Sequence, residues 1–267
     1  MPARFMPRHK SVNREQRSDT ADFFTFLLKL ALFVAVLRSF VFAPFSIPSE
    51  SMMPRLLVGD YLVVTKWPYG FSRHSLPFSV PLISGRVFAK LPERGDVIVF
   101  KEPPEDRVDV IKRVIGLPGD LLQMRGGQLF INNRPVPKVR VADLVIPVSP
   151  NTRCLTPQSN QGTSCRYARY REALPNGKSY DVLDFGAYPA DDTGVYRVPA
   201  GQLFLMGDNR DDSADSRYEA GGFGFVPLEN VVGRASLSVY STDGSAHYLK
   251  PWTWFSAARW SRIGERF

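Results

Sequence analysis

The sequence predicts a mainly β fold: an antiparallel-sheet domain carrying a β-rich insertion subdomain, preceded by one N-terminal transmembrane helix. Beyond residue 50, short β-branched runs such as "YLVVTKW", "DVIVF", "VDVIKRVIG", "QLFINNRPV", "QLFLMG" and "VVGRASLSVY" alternate with Gly, Pro and Asp turn residues. Their length and spacing suit antiparallel strands, and no amphipathic helix pattern competes with them. Before them lies one long apolar run, Phe23 to Ala43. With 44% hydrophobic and 22% charged residues over 267 positions, a wholly disordered chain is excluded.

Residues 1–22 form a polar lead in which Arg4, Arg8, Lys10, Arg14 and Arg17 outnumber Glu15, Asp19 and Asp22. Residues 23–43, "FFTFLLKLALFVAVLRSFVFA", would span about 30 Å as a helix, enough to cross a bilayer, and Pro44 ends it. Lys29 and Arg38 lie away from its centre and can reach opposite head-group layers. Basic residues concentrate before the run, which predicts the N-terminus in the cytoplasm and the rest outside. "VFA" before Pro44 resembles a signal-peptide cleavage site, but a proline after the scissile bond is a poor fit to a protease cleft, so the anchor is expected to be retained.

The remainder divides into a β domain made of residues 44–120 and 201–267 and an insertion, residues 121–200, rich in Pro, Asn and Tyr. The insertion holds both cysteines, Cys154 and Cys165, in "CLTPQSNQGTSC". They lack the spacing of a zinc site. An oxidising compartment would make them a disulfide, a reducing one two free thiols. The terminal "WTWFSAARWSRIGERF" mixes aromatics with arginines, which suits either a membrane interface or a tail packed on the β domain.

Several functions are disfavoured. The net charge of +8 is spread among many acids and forms no basic stripe, so a surface facing anionic lipid is as good a reading as nucleic acid. His9, His74 and His247 stand beside no nucleophile or carboxylate motif, and "GxSxG", "HExxH" and phosphate-binding glycine loops are absent. "GDNRDDSADSRYE" resembles a calcium loop, but Arg210 occupies the third position and Ser213 the sixth. No metal or cofactor is expected.

Three stretches remain. "PSESM" offers Ser49 and Ser51, which alone read as a cap or turn. "DVIKRVIGLPGD" places Lys112 in an apolar run, on the strand face of Val110 and Val114 and opposite Ile111. Burial there would lower its pKa and make a neutral amine available as a base. "GDNRDDSADSR" reads alone as a hydrogen-bonded polar turn.

Taken together, "IPSESMMPRLLVGD", "RGDVIVFKEP", "VDVIKRVIGLPGD" and "MGDNRDDSADSRYEAGGFGFVP" resemble the ordered motif boxes of bacterial type I signal peptidases, membrane-bound Ser-Lys endopeptidases. The resemblance runs from about Arg38 to Ala235. It implies Ser51 as nucleophile, Lys112 as general base, Ser49 as the oxyanion-hole hydroxyl and Ser213 as the hydroxyl orienting the lysine. Asp215 and Arg217 match a structural pair. Ile47, Pro48, Met52, Leu56 and Ile111 fall where substrate pockets are lined. The implied substrates are preproteins whose signal peptides end in an A-x-A pattern. Arg55 stands where threonine is usual, and Val110 where an aromatic is common. Two alternatives stay open: a dedicated peptidase for one substrate such as a conjugal pilin, and a membrane-anchored β-rich binding module. The sequence does not give the oligomeric state.

Overall fold

Seven antiparallel strands form the main sheet of the computed structural model, which describes residues 12–218, 221–247 and 249–267. They are β1 (Phe42–Ser46), β2 (Asp60–Thr65), β3 (Val97–Lys101), β4 (Asp109–Gly116), β5 (Gln202–Met206), β6 (Val226–Pro227) and β7 (Val231–Ser241), in the order β1-β2-β7-β3-β4-β5-β6. β3 is apolar from Val97 to Phe100 because both its faces are covered there. Val97 and Val99 face one core with Ile47, Leu62 and Ile111, while Ile98 and Phe100 face another with Val114, Leu203 and Leu205.

The N-terminal helix is longer at its start than expected. Helix α1 spans Val12–Val36 and widens into a π-helical turn, Leu37–Val41. Residues 12–22 of the polar lead therefore belong to the helix, and residues 1–11 lie outside the described residues. The membrane-length segment is Asp19–Val41, and little of it is buried in the protein. Pro44 does not mark the helix end, which comes three residues earlier. The chain is already extended at Phe42, and Pro44 lies within β1, at the sheet edge where a missing N–H is tolerated.

Between β4 and β5 the chain builds two further sheets. One has the order Lys138–Pro147, Ser164–Ala173, Ser179–Leu183; the other pairs Leu121–Arg125 with Gln128–Ile131 and, at its two margins, Tyr196–Arg197 and Arg134–Pro135. Leu122, Leu129, Tyr180 and Val182 share one core with Ile115, Phe204 and Met206 of the main sheet. The inserted segment is thus welded to the strand that carries Lys112. Cys154 and Cys165 form a disulfide, which closes a short loop and stabilises by about 3 kcal/mol in the chain-entropy model.

The tail divides between the two readings. Its backbone returns to β7 through the Leu237–Arg266 bridge, and Phe267 packs on the core of Ile47 and Met52. Trp252, Trp254, Phe255 and Trp260 nevertheless stay exposed.

Candidate active site

The segment after β1 turns sharply and is held at both ends. The Ile47 N–H donates to the Asp60 carbonyl at 2.9 Å, and the Gly59 N–H donates back to Ile47 at 3.0 Å. Between them a helical turn forms, with Met53 N–H on Glu50 and Leu56 N–H on Met52. Met52 and Leu56 are wholly buried beside Ile47 and Ile111, which fixes the turn on the sheet. Asp60 locks the exit: buried, it accepts from Ser241 Oγ at 2.7 Å and from Arg262 Nη2 at 2.6 Å. This geometry holds Ser51 over β4.

Lys112 projects from the β4 face shared with Val110 and Val114, opposite Ile111, as strand alternation predicts. Its Nζ donates to Ser51 Oγ at 2.7 Å, and the two side chains are 61 residues apart in sequence. Ser51 is 8% exposed and Lys112 4%. Burial pushes the amine down to about 8, against the opposing pull of Asp215 and Asp208. About one lysine in ten would then be neutral at pH 7, against fewer than one in a thousand for a free side chain. In that neutral form the same contact lets Nζ accept the Ser51 proton.

Comparison with known proteins identifies the family. A family profile described as "Signal peptidase, peptidase S26" matches residues 20–240. The chain belongs to the signal peptidase family, peptidase S26. Signal peptidase I of Rickettsia typhi is 38% identical, covering 96% of this chain and 94% of its own. That of Rickettsia prowazekii is 37% identical over 90% of each chain. A solved signal peptidase I from Enterococcus faecalis is 25% identical and covers 55% of this chain and 98% of its own, at a TM-score of 0.31. Family membership makes this chain a serine endopeptidase and removes the binding-module alternative, and the apolar helix fits a membrane anchor.

The other residues singled out by resemblance to the family fall as follows. Ser49 is exposed, its Oγ 3.3 Å from that of Ser51. Arg217 and Asp215 form a fully buried pair at 2.9 Å, and Asp215 also accepts the Gly207 N–H at 3.0 Å. Burial alone would raise the Asp215 carboxyl, but the Arg217 guanidinium and these hydrogen bonds hold it below the usual carboxylate range. Ser213 is buried beside Gly207, where an added Cβ would run into both Ser213 Oγ and the Ser51 carbonyl. Its hydroxyl makes no hydrogen bond, so the expected contact with the Lys112 amine is not formed. Met52, Leu56, Ile47 and Ile111 meet one another as a floor beneath the serine, with almost no open surface; Pro48 alone among the expected pocket residues is exposed. The reason is the packing of the helical turn, which turns the methionine and leucine inward.

Arg55 faces away from Ser51. Its guanidinium donates to the Arg266 carbonyl and lies over the Phe267 ring, 4.9 Å from the centroid. Val110, in place of an aromatic, is half-buried against the core of Ile98 and Phe100. Though in no sequence motif, His74 stands in space near a serine and a carboxylate, 3.1 Å from Ser79 Oγ and 3.7 Å from Asp106. Arg73 Nε donates to its Nε2 at 3.1 Å. The ring proton therefore lies on Nδ1 and points at Ser79, so neither nitrogen is free to take a serine proton.

Sequence reasoning also missed three supports in the polar turn after β5. Asp208 forms a buried bidentate pair with Arg113, at 2.7 and 2.6 Å. Arg210 pairs with Glu172 in the inserted sheet. Asn209 donates its backbone N–H to the Ser51 carbonyl and its side-chain amide to that of Glu50. The density of short polar residues was the available signal, but their partners lie far away in sequence.

Proposed function

We propose that this protein removes N-terminal signal peptides from exported preproteins, with Ser51 as nucleophile and Lys112 as general base. The 2.7 Å contact between a buried lysine of lowered pKa and a serine carries the reading. Neutral Lys112 takes the Ser51 proton as Oγ attacks the scissile carbonyl. Ser49 Oγ and the Ser51 backbone N–H face the developing oxyanion. The lysine then returns its proton to the leaving amine, and water hydrolyses the ester.

The substrate lies extended along β4. Strand β5 pairs with β4 only from Arg113 to Gly116, so among the described residues the edge from Asp109 to Ile111 is partnered on the β3 side alone. A peptide can add there as a strand, its alternate side chains meeting the wall near Pro48 and Ile111. The preference for small residues, in the A-x-A pattern, is carried from the resemblance to the family. The α1 helix holds this cleft at the outer face of the inner membrane, with the N-terminus in the cytoplasm, and the lipid bilayer is its standing partner. Preproteins ending in Ala-x-Ala and their counterparts with a bulky residue before the scissile bond test this reading. Cleavage of the first alone, at the expected bond by mass spectrometry, supports it; cleavage of neither, or of both equally, overturns it.

A further inference from the structure

The apolar helix enters the sheet without a linker. Val41 closes its last turn, the Val41 carbonyl accepts the Lys66 N–H at 3.2 Å, and Phe42 begins β1 opposite Thr65. The end of β2 is therefore held at the depth where the helix leaves the hydrocarbon. A cavity of about 800 Å³ opens there, between the last helical turns and the segment around His74–Ser79.

Arg38, Lys66, Lys101 and Arg107 line this cavity, with Asp106 and Asp109. The two carboxylates are already engaged, Asp106 with Arg73 at 2.8 Å and Asp109 with Lys101 at 3.0 Å. Among the described residues, Arg38, Lys66 and Arg107 pair with no carboxylate. Lys66 is buried, and its amine has a single hydrogen bond, to the Ser75 carbonyl at 2.6 Å. Burial holds that amine down to about 8, a bias that a bound anion would reverse. A cavity walled by three cations outside any close ion pair, with Asp109 acting on Lys66 only at longer range, is complementary to an anion.

The neighbouring segment adds an independent observation. Phe78 is 100% exposed, Leu82 80% and Phe88 79%. Phe78 and Phe88 also have left-handed backbone, φ 57° and 53°, which phenylalanine adopts at a cost. Large apolar side chains turned outward next to unpaired cations, at the exit of a membrane helix, match the layered chemistry of a lipid interface.

We propose that this cavity binds the phosphate of an anionic phospholipid headgroup, with Arg38, Lys66 and Arg107 around the phosphate and Phe78 and Leu82 in the acyl layer of the same leaflet. The site rests on the membrane-anchor reading and adds to it a lipid preference. It would fix the rotation of the catalytic domain on the bilayer.

The full chain in detergent micelles, titrated with dihexanoyl phosphatidylglycerol, dihexanoyl phosphatidylcholine and inorganic phosphate and followed by native mass spectrometry, tests the site. Saturable binding of phosphatidylglycerol, at least tenfold tighter than either of the others, is expected. The double change Arg38→Gln and Arg107→Gln, at two exposed side chains, is expected to weaken it at least fivefold. Equal affinity for the two lipids, or an unaffected double variant, overturns the proposal; phosphate binding as tightly as the lipid overturns its assignment to lipid. Alkaline extraction of membranes separates the two claims. Release of the chain sinks the anchor, whereas retention without lipid preference sinks only the headgroup site.

Discussion

The backbone N–H of Asn209 donates to the carbonyl of Ser51 at 3.1 Å, so the polar turn after β5 grips the peptide unit that carries the nucleophile. The Asn209 side chain adds a bond to the Glu50 carbonyl at 3.2 Å. Asn209→Ala keeps the first bond and loses the second, worth about 1 kcal/mol. The expected result is a roughly fivefold fall in kcat with little change in KM, because Ser51 is less well held while the substrate edge is untouched. Steady-state kinetics on a preprotein check it.

Activity should follow the charge on Lys112. Burial lowers its pKa to about 8, and the neutral form is the base. The sign is therefore a rise with pH: kcat/KM should increase about tenfold per unit below pH 8 and level off above it. A profile flat from pH 6 to 10 would rule out a titrating amine as the base.

Ser49 Oγ lies 3.3 Å from Ser51 Oγ, and Ser49 is exposed. Ser49→Ala should cost about 3 to 4 kcal/mol in activation free energy, a fall in kcat on the order of a hundred- to a thousandfold. The thermal midpoint should hardly move, since an exposed hydroxyl is lost. A large stability loss with normal kcat would reassign Ser49 to a structural role.

Arg217→Met would leave the Asp215 carboxylate buried without its partner. Breaking such a pair costs about 3 to 5 kcal/mol, and denaturant unfolding measures it. The double change with Asp215→Asn should recover much of the loss. Additive destabilisation by the two changes would show that the pair is not coupled.

The fold was legible where a residue's neighbours in sequence decide its place. Alternation along "VDVIKRVIG" put Lys112 with Val110 and Val114, because a strand admits only two faces. The end of α1 was less so: Pro44 suggested a helix stop, but pairing with β2 draws the chain out of the helix at Phe42. Contacts between distant segments left little local trace. Arg55 could not be explained from "SMMPRLL" because its partners, Arg266 and Phe267, are the last residues of the chain. Ser79, His74 and Asp106 meet through a loop fold that no periodicity announces. Resemblance pointed to Ser213 as the hydroxyl orienting Lys112 but could not reveal that this hydroxyl is left unbonded here.

The central claim is that Ser51 and Lys112 act as one catalytic unit. Its most direct measurement compares preprotein cleavage by the wild-type chain in detergent with that by Ser51→Ala and Lys112→Ala, all verified as folded. The account predicts that each change alone abolishes cleavage, and that the two together are no worse than either. Wild-type rates in either single variant would contradict it.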